Sequence, residues 1–326
     1  MCRVRLTRLL FLTSFLFVAG RVRTATLREV LREHGVPTST FTAAELNAQL
    51  PSVEVSTSVS NVLIAYSTLE KEATNTSPLH LVTYHRSSRK LTHRVIRTAE
   101  TSDECSGAVM GISEQDENIL IETHINPSAE CTILLDSQLH VRKTLFAWVV
   151  AKLGPHDVLM EEDEIHFAPV HPLRLAVFNL PSGKMQEVYP PDGDPLRARF
   201  SRDLSSHLPP RSWCAEHNHP CDPGSFDEDL GDPAYADASG TRVAFIVTFS
   251  AEGFGDDAAR SIGLRSAMYV YRREEDGWSY CQQELAGDEV EKRQAQLHSD
   301  FESATESCSA ATKVTVARVD SPFSNR

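Results

Sequence analysis

The chain has 326 residues, 41% of them hydrophobic and 24% charged, with a formal net charge of −13. This is the composition of a globular protein long enough for one large domain or two smaller ones. Acidity of this order opposes broad contact with phosphate backbones, so no nucleic-acid partner is expected.

The first segment, residues 1–20, reads as a secretory signal peptide. Arg3, Arg5 and Arg8 precede the apolar run Leu9 to Ala19, which ends at Val18-Ala19-Gly20. A basic flank, a short apolar stretch and a small-residue cleavage site are the parts of such a peptide. The run is too short to cross a bilayer, which takes about 20 apolar residues. Its removal leaves no membrane anchor and shifts the formal charge from −13 to −16, since it holds three arginines and no acids. The expected location is periplasmic or extracellular. Cys2 leaves with the signal, and Cys105, Cys131, Cys214, Cys221, Cys281 and Cys308 remain. An even number in an exported chain points to disulfides.

Residues 21–54 form a short helical lead. Thr26-Leu-Arg-Glu29 has the spacing of a capping box, in which hydroxyl and carboxylate satisfy each other's free backbone N–H groups. Leu27, Val30 and Leu31 follow as an apolar stripe that Gly35 and Pro37 stop. Thr42-Ala-Ala-Glu45 repeats the box ahead of Leu46 and Leu50. Both helices are too short to stand alone and need a surface to pack on.

Residues 55–326 change period. Short runs rich in Val, Ile, Thr and aromatics begin with Asn61 to Ser67, Leu79 to Tyr84 and Leu91 to Ile96. A second group spans Ala108 to Lys143, a third Phe146 to Tyr189 and a fourth Val243 to Gln282. Bounded by Gly, Pro, Asp and Ser, these are antiparallel strands. The basic island from His80 to Arg97 clusters around one hairpin turn and reads as a solvated loop. The first three groups start near residues 61, 107 and 146, a repeat of roughly 40 to 50 residues that suits a four-stranded blade. LAVFNLPSGKMQEVYP, residues 175–190, resembles the outer hairpin of a β-propeller blade, and YVYRREEDGWSY, residues 269–280, has a similar form. The resemblance is to β-propeller repeat proteins as a class. It implies an all-β, antiparallel, propeller-like body; the alternative is a large β-sandwich or two small β-domains.

The periodicity breaks at 192–240, read as a loop-rich insertion containing Pro195, Pro209, Pro210, Pro220, Pro223 and Pro233. Long insertions in compact domains are often functional. Within it, Cys214, His217, His219 and Cys221 are possible zinc ligands by type, but their spacing does not match the familiar ligand pairs. An oxidising compartment favours a Cys214–Cys221 disulfide instead. The acidic run Asp222 to Asp237 has Ala238 where a calcium loop starting at Asp227 needs its bidentate Glu, so it reads as solvation. The same holds for Glu161 to Glu164. His166 and His171 sit in a proline-braced loop, EIHFAPVHPLRL. Gly253-Phe-Gly255 lacks the surrounding βαβ unit of a dinucleotide site and reads as a loop.

Near the end, Asp288 to Glu291 can start a helix with Val290, Leu297 and Phe301 on one face. Thr312 to Val319 alternates as a last strand, expected to close the ring on an early blade. The disulfide framework follows from strand order. Cys105 precedes one strand and Cys131 opens the strand two places later, at the same edge. Cys214 and Cys221 close a short loop, and Cys281 with Cys308 ties the C-terminal segment to the last blade.

No G-x-S-x-G elbow or H-E-x-x-H helix occurs. The leading expectation is an exported, non-catalytic binding or interaction protein for a protein or small-molecule ligand, without cofactor. Its ligand contacts are assigned to Trp213, His217, His219, His166 and His171, with the insertion as a wall of the site. One alternative is a secreted hydrolase whose His, Asp and Glu groups come from loops 164–174 and 213–221. The other is a metal-dependent protein using His217 and His219.

Overall fold

The computed structural model describes residues 25–67, 78–101, 105, 107–126, 129–162, 173–205, 212, 216, 227–252, 261–275, 277–308 and 312–313. Four antiparallel sheets follow one another in the chain. The first holds β1 (Ser52–Thr57), β2 (Asn61–Ser67), β3 (Leu79–His85) and β4 (Lys90–Ile96). The second holds β5 (Ala108–Gln115), β6 (Asn118–Asn126), β7 (Ala129–Leu135) and β8 (Val141–Leu145). The third holds β9 (Ala147–Leu153), β10 (Asp157–Glu162), β11 (Leu175–Asn179) and β12 (Met185–Tyr189). The fourth holds β13 (Asp227–Ala236), β14 (Arg242–Glu252), β15 (Ser261–Glu274), β16 (Gly277–Leu285) and β17 (Thr312–Lys313). Each is an up-and-down meander with sequential neighbours paired. This is the all-β, propeller-like body that the strand grouping predicts.

Near-continuous apolar runs such as NVLIAYS and LAVFN give the central strands two buried faces, so the sheets stack. Leu63, Leu81, Val109, Ile121 and Ile133 join sheets one and two. Leu120, Leu134, Val158, Met160 and Phe178 join sheets two and three. Leu159, Val177, Tyr189, Phe245, Tyr269 and Tyr271 join three and four. The two outer faces of the row are covered by helices. Helix α1 (Leu27–Glu33) and helix α2 (Ala43–Leu46) lay Leu27, Leu31 and Leu46 on Val62, Ile64 and Val82 of the first sheet. Both capping boxes form: Glu29 Oε2 accepts from Thr26 N at 2.8 Å, and Glu45 Oε2 from Thr42 N at 2.7 Å. At the far end, α4 (Val290–Ser299) and α5 (Phe301–Thr305) place Leu297 and Ala304 on Ala244, Ile246 and Met268.

The hairpin turns between the first two strands of each sheet meet at one end of the row and are stitched by polar groups. Asn61 Nδ2 donates to Glu114 Oε2 at 3.0 Å. Gln115 Nε2 donates to the carbonyls of Gly154 and Asp157 at 2.7 and 2.9 Å. Asp157, itself buried, receives Arg273 at 2.6 Å from the fourth sheet. Two predicted disulfides are present, Cys105–Cys131 and Cys281–Cys308. The second ties the segment after α5 to β16. Cys214 and Cys221 lie outside the described residues.

Four details depart from the sequence reading. The first sheet starts at Ser52, not Asn61: SVEVST, which alternates polar and apolar residues, forms a half-buried strand. The interval 192–240 is not all loop: it holds α3 (Pro195–Ser205) and the first strand of the fourth sheet. Asp194 caps α3, accepting from the N–H groups of Leu196 and Arg197 at 2.9 and 3.0 Å, and its other oxygen takes the Tyr269 hydroxyl at 2.6 Å. Glu228, read as part of a solvated acidic run, is buried and paired with Arg197 at 2.5 Å. The last strand, in its described residues Thr312–Lys313, pairs with β16 of its own sheet instead of an early blade.

Candidate active site

The first strand of each sheet, its inner strand, lies at the sheet edge. β1 lies against β5, and β9 against β13. Ser52 Oγ accepts from the Val109 N–H at 2.8 Å, which fixes β5 on β1. Two residues further along β1, on the same face by strand alternation, stands Glu54. Burial pushes the Glu54 carboxyl above its ordinary range.

A register shift falls between Val109 and Gly111, leaving Met110 as the extra residue of a bulge, 57% exposed. Bulges of this kind re-aim side chains and gather next to active sites. Past the bulge Gly111 pairs with Glu122 of β6. A Cβ built on Gly111 stands 3.0 Å from Glu122 Oε2. The Glu122 side chain thus runs over the bare backbone of the inner strand, where any larger residue would block it.

There it meets other charges. Glu130 of β7 and Glu54 are close enough to disfavour its ionisation, and Lys152 and the Val149 N–H of β9 favour it. Burial is the largest effect, followed by the Glu130 charge, and together they push the Glu122 carboxyl up to about 7. Glu130 faces His124 across the β6–β7 pair, with Oε1 3.5 Å from Nδ1. Trp148, next in the chain to Val149, is half-buried on the same inner strand. The group therefore contains a carboxyl protonated near neutral pH, further carboxylates and a cation, all set on strands. Such a set can donate a proton and stabilise positive charge at one place.

The sequence reading placed chemistry on loops. Its candidates Trp213, His217, His219, His166 and His171 all lie outside the described residues. Among the described residues no group of three His, Cys, Asp or Glu side chains is arranged to hold a metal ion. The residues that do converge, Glu54, Glu122, Glu130 and Lys152, belong to no motif. Two signals did mark them. Glu122 is a charge in the middle of the apolar run ILIETHI, and Gly111 is a glycine inside a strand pattern.

No family model matches the chain, and no curated protein does either. Solved structures with a similar arrangement do exist. The α-L-arabinanase of Penicillium chrysogenum complexed with arabinobiose is 7% identical, with a TM-score of 0.35 over 77% of this chain and 69% of that one. A thermostable family-43 glycoside hydrolase is 7% identical, with a TM-score of 0.30 over 73% and 72%. The β-propeller domain of the Trilobed protease from Pyrococcus furiosus is 8% identical, with a TM-score of 0.24 over 72% and 82%.

Proposed function

We propose that this protein is an exported hydrolase that cleaves glycosidic bonds by carboxyl acid–base chemistry, with Glu122 as the proton donor. The observation that carries this reading is the Glu122 carboxyl, raised to about 7 beside the carboxylates of Glu54 and Glu130. A pair of carboxyl groups is the minimal equipment for this reaction. One protonates the departing oxygen, and an ionised one supports the positive charge that develops on the sugar ring or activates its attacker. The chemistry requires no Ser nucleophile elbow and no zinc helix, and the chain has neither. Lys152 keeps part of the local charge balanced. The exposed Met110 and half-buried Trp148 on the inner strands supply apolar surface of the kind a sugar face can rest on. Export accords with the two disulfides.

The test is a panel of oligosaccharides and their aryl glycosides, assayed with the wild type and with Glu122→Gln. General acids contribute about 10²- to 10⁴-fold. A loss of that size is expected for unactivated oligosaccharides. A clearly smaller loss is expected for aryl glycosides, whose leaving groups need less protonation. The reading fails if no member of the panel is cleaved, or if the variant hydrolyses unactivated substrates at the wild-type rate.

A further inference from the structure

A second cluster lies on the opposite face of β1's sheet, beneath the N-terminal helices. Tyr66 pairs with His80 across β2 and β3, and His80 with Val95 across β3 and β4. His93 is two residues before Val95, so alternation puts Tyr66, His80 and His93 on one face. The Tyr66 and His80 rings stack, with centroids 4.7 Å apart and planes inclined by 11°. His80 Nδ1 is 3.1 Å from His93 Nε2, and the Tyr66 hydroxyl is 3.3 Å from the same nitrogen.

Hydrogen bonding alone does not satisfy this arrangement. An imidazole nitrogen carries either one proton or one lone pair, so His93 Nε2 cannot make two full-strength bonds, one to Tyr66 and one to His80. Three donor atoms of metal-ligating type nevertheless crowd together. Two nitrogens bound to zinc at 2.0–2.1 Å in tetrahedral geometry stand about 3.3 Å apart, close to the spacings found here. The two imidazole planes are inclined by 20°, with centroids 5.4 Å apart.

We propose that Tyr66, His80 and His93 form a binding site for a divalent transition ion of the copper–zinc type. One carboxylate, Glu45, and one guanidinium, Arg97, line the approach to these rings. Glu45 acts electrostatically on Tyr66 and on both histidines. It also lines a cavity of about 450 Å³ that reaches Tyr66 and His80 and supplies a path to them. The third donor is the Tyr66 phenol, which gives up its proton to solvent when the ion binds. Imidazole suits both zinc and copper, and the affinity order places Cu²⁺ above Zn²⁺. The site is separate from Glu122 and does not depend on the hydrolase reading.

The purified chain, stripped with a chelator, is titrated with Cu²⁺ or Zn²⁺ alone by calorimetry. One ion per chain is expected at this site. His80→Gln and His93→Gln should each weaken it by roughly 10-fold or more, since even indirect partners of a metal are worth 10–100-fold. Tyr66→Phe keeps the stacked ring and removes only the oxygen. It should abolish the visible phenolate-to-copper absorption of the Cu²⁺ form while circular dichroism stays unchanged. The proposal is overturned if the wild type shows no saturable binding, or if the His80→Gln/His93→Gln double variant binds as the wild type does. Should the histidine variants fail to fold, absence of a band in the wild type, or its survival in Tyr66→Phe, overturns it equally.

Discussion

Gly111 and Glu122 face each other across β5 and β6, and the side chain missing from one is the space that the other occupies. A Cβ on Gly111 stands 3.0 Å from Oε2 and 3.3 Å from the carboxyl carbon of Glu122. The carboxylate is the far end of a flexible side chain, so it yields before the backbone does.

Gly111→Ala should therefore move Glu122 without unfolding the protein. Displacement of a reacting group by a fraction of an ångström to an ångström costs on the order of 10- to 100-fold in rate. The expected result is a loss of that size in kcat/KM on unactivated glycosides, with a nearly unchanged melting temperature. A fully active Gly111→Ala enzyme would separate Glu122 from catalysis.

The pH dependence of Glu122 has a definite sign. Its carboxyl is near 7 in the fold and near the usual 4.5 in the unfolded chain. Between those values the native state holds the extra proton, so the Glu122 contribution to stability falls as pH rises from about 4.5 to 7. The penalty above that window is about 2 kcal/mol after allowance for solvent screening. Denaturant titrations at pH 5 and pH 8 should show this difference in wild type and lose it in Glu122→Gln. Hydrolysis should fall on the alkaline side of about pH 7, as the acid loses its proton.

The turns of sheets three and four touch at Gly154 and Gly240. Gly240 has φ +67°, and a Cβ there would lie 1.9 Å from the Gly154 nitrogen and 2.4 Å from the Leu153 carbonyl carbon. Both obstacles are backbone. Gly240→Ala should destabilise the chain by about 3 kcal/mol or more, since strain and clash add. Gly183→Ala, at a similar φ of +66° but with nothing within 4 Å, should cost only about 1–2 kcal/mol. Equal melting shifts for the two variants would contradict the turn contact.

Arg197 on α3 reaches Glu228 on β13, whose side chain is fully covered. Arg197→Leu leaves that carboxylate buried without its cation, at a cost of about 3–5 kcal/mol. Adding Glu228→Gln should recover part of the loss. If chemical denaturation shows no such recovery, the pair is not what holds α3 to the last sheet.

The disulfides give the remaining expectation. Converting Cys281 and Cys308 to Ser together should destabilise the chain by about 2–4 kcal/mol and expose the covering helices to proteolysis. Peptide mapping of unreduced protein should recover Cys105–Cys131, Cys281–Cys308 and the proposed Cys214–Cys221 pair. Free thiols at Cys214 and Cys221 would make the zinc reading of His217 and His219 the better one.

Much of the architecture is local and was legible. A Thr or Asp hydroxyl or carboxylate beside free N–H groups, a two-residue alternation and a Gly-rich turn act over a few positions, so the capping boxes at Thr26 and Thr42 and most strands could be read from residue order. Strand order also placed Cys105 near Cys131. β1 alternates cleanly but follows directly on the helical lead, whereas in β13 charges and an irregularity between Gly231 and Tyr235 interrupt the alternation.

The sequence by itself determined the antiparallel sheets, their meander connectivity and two of the cysteine pairs. Only the tertiary structure decided the chemistry. Glu54, Glu122 and Lys152 come from three different sheets, and their proximity depends on how β5 stacks on β1 and where the Met110 bulge falls. Tyr66 and His93 meet through the register of three strands. Proton affinities are set by burial and neighbouring charge, quantities that arise from through-space packing and have no signature along the chain.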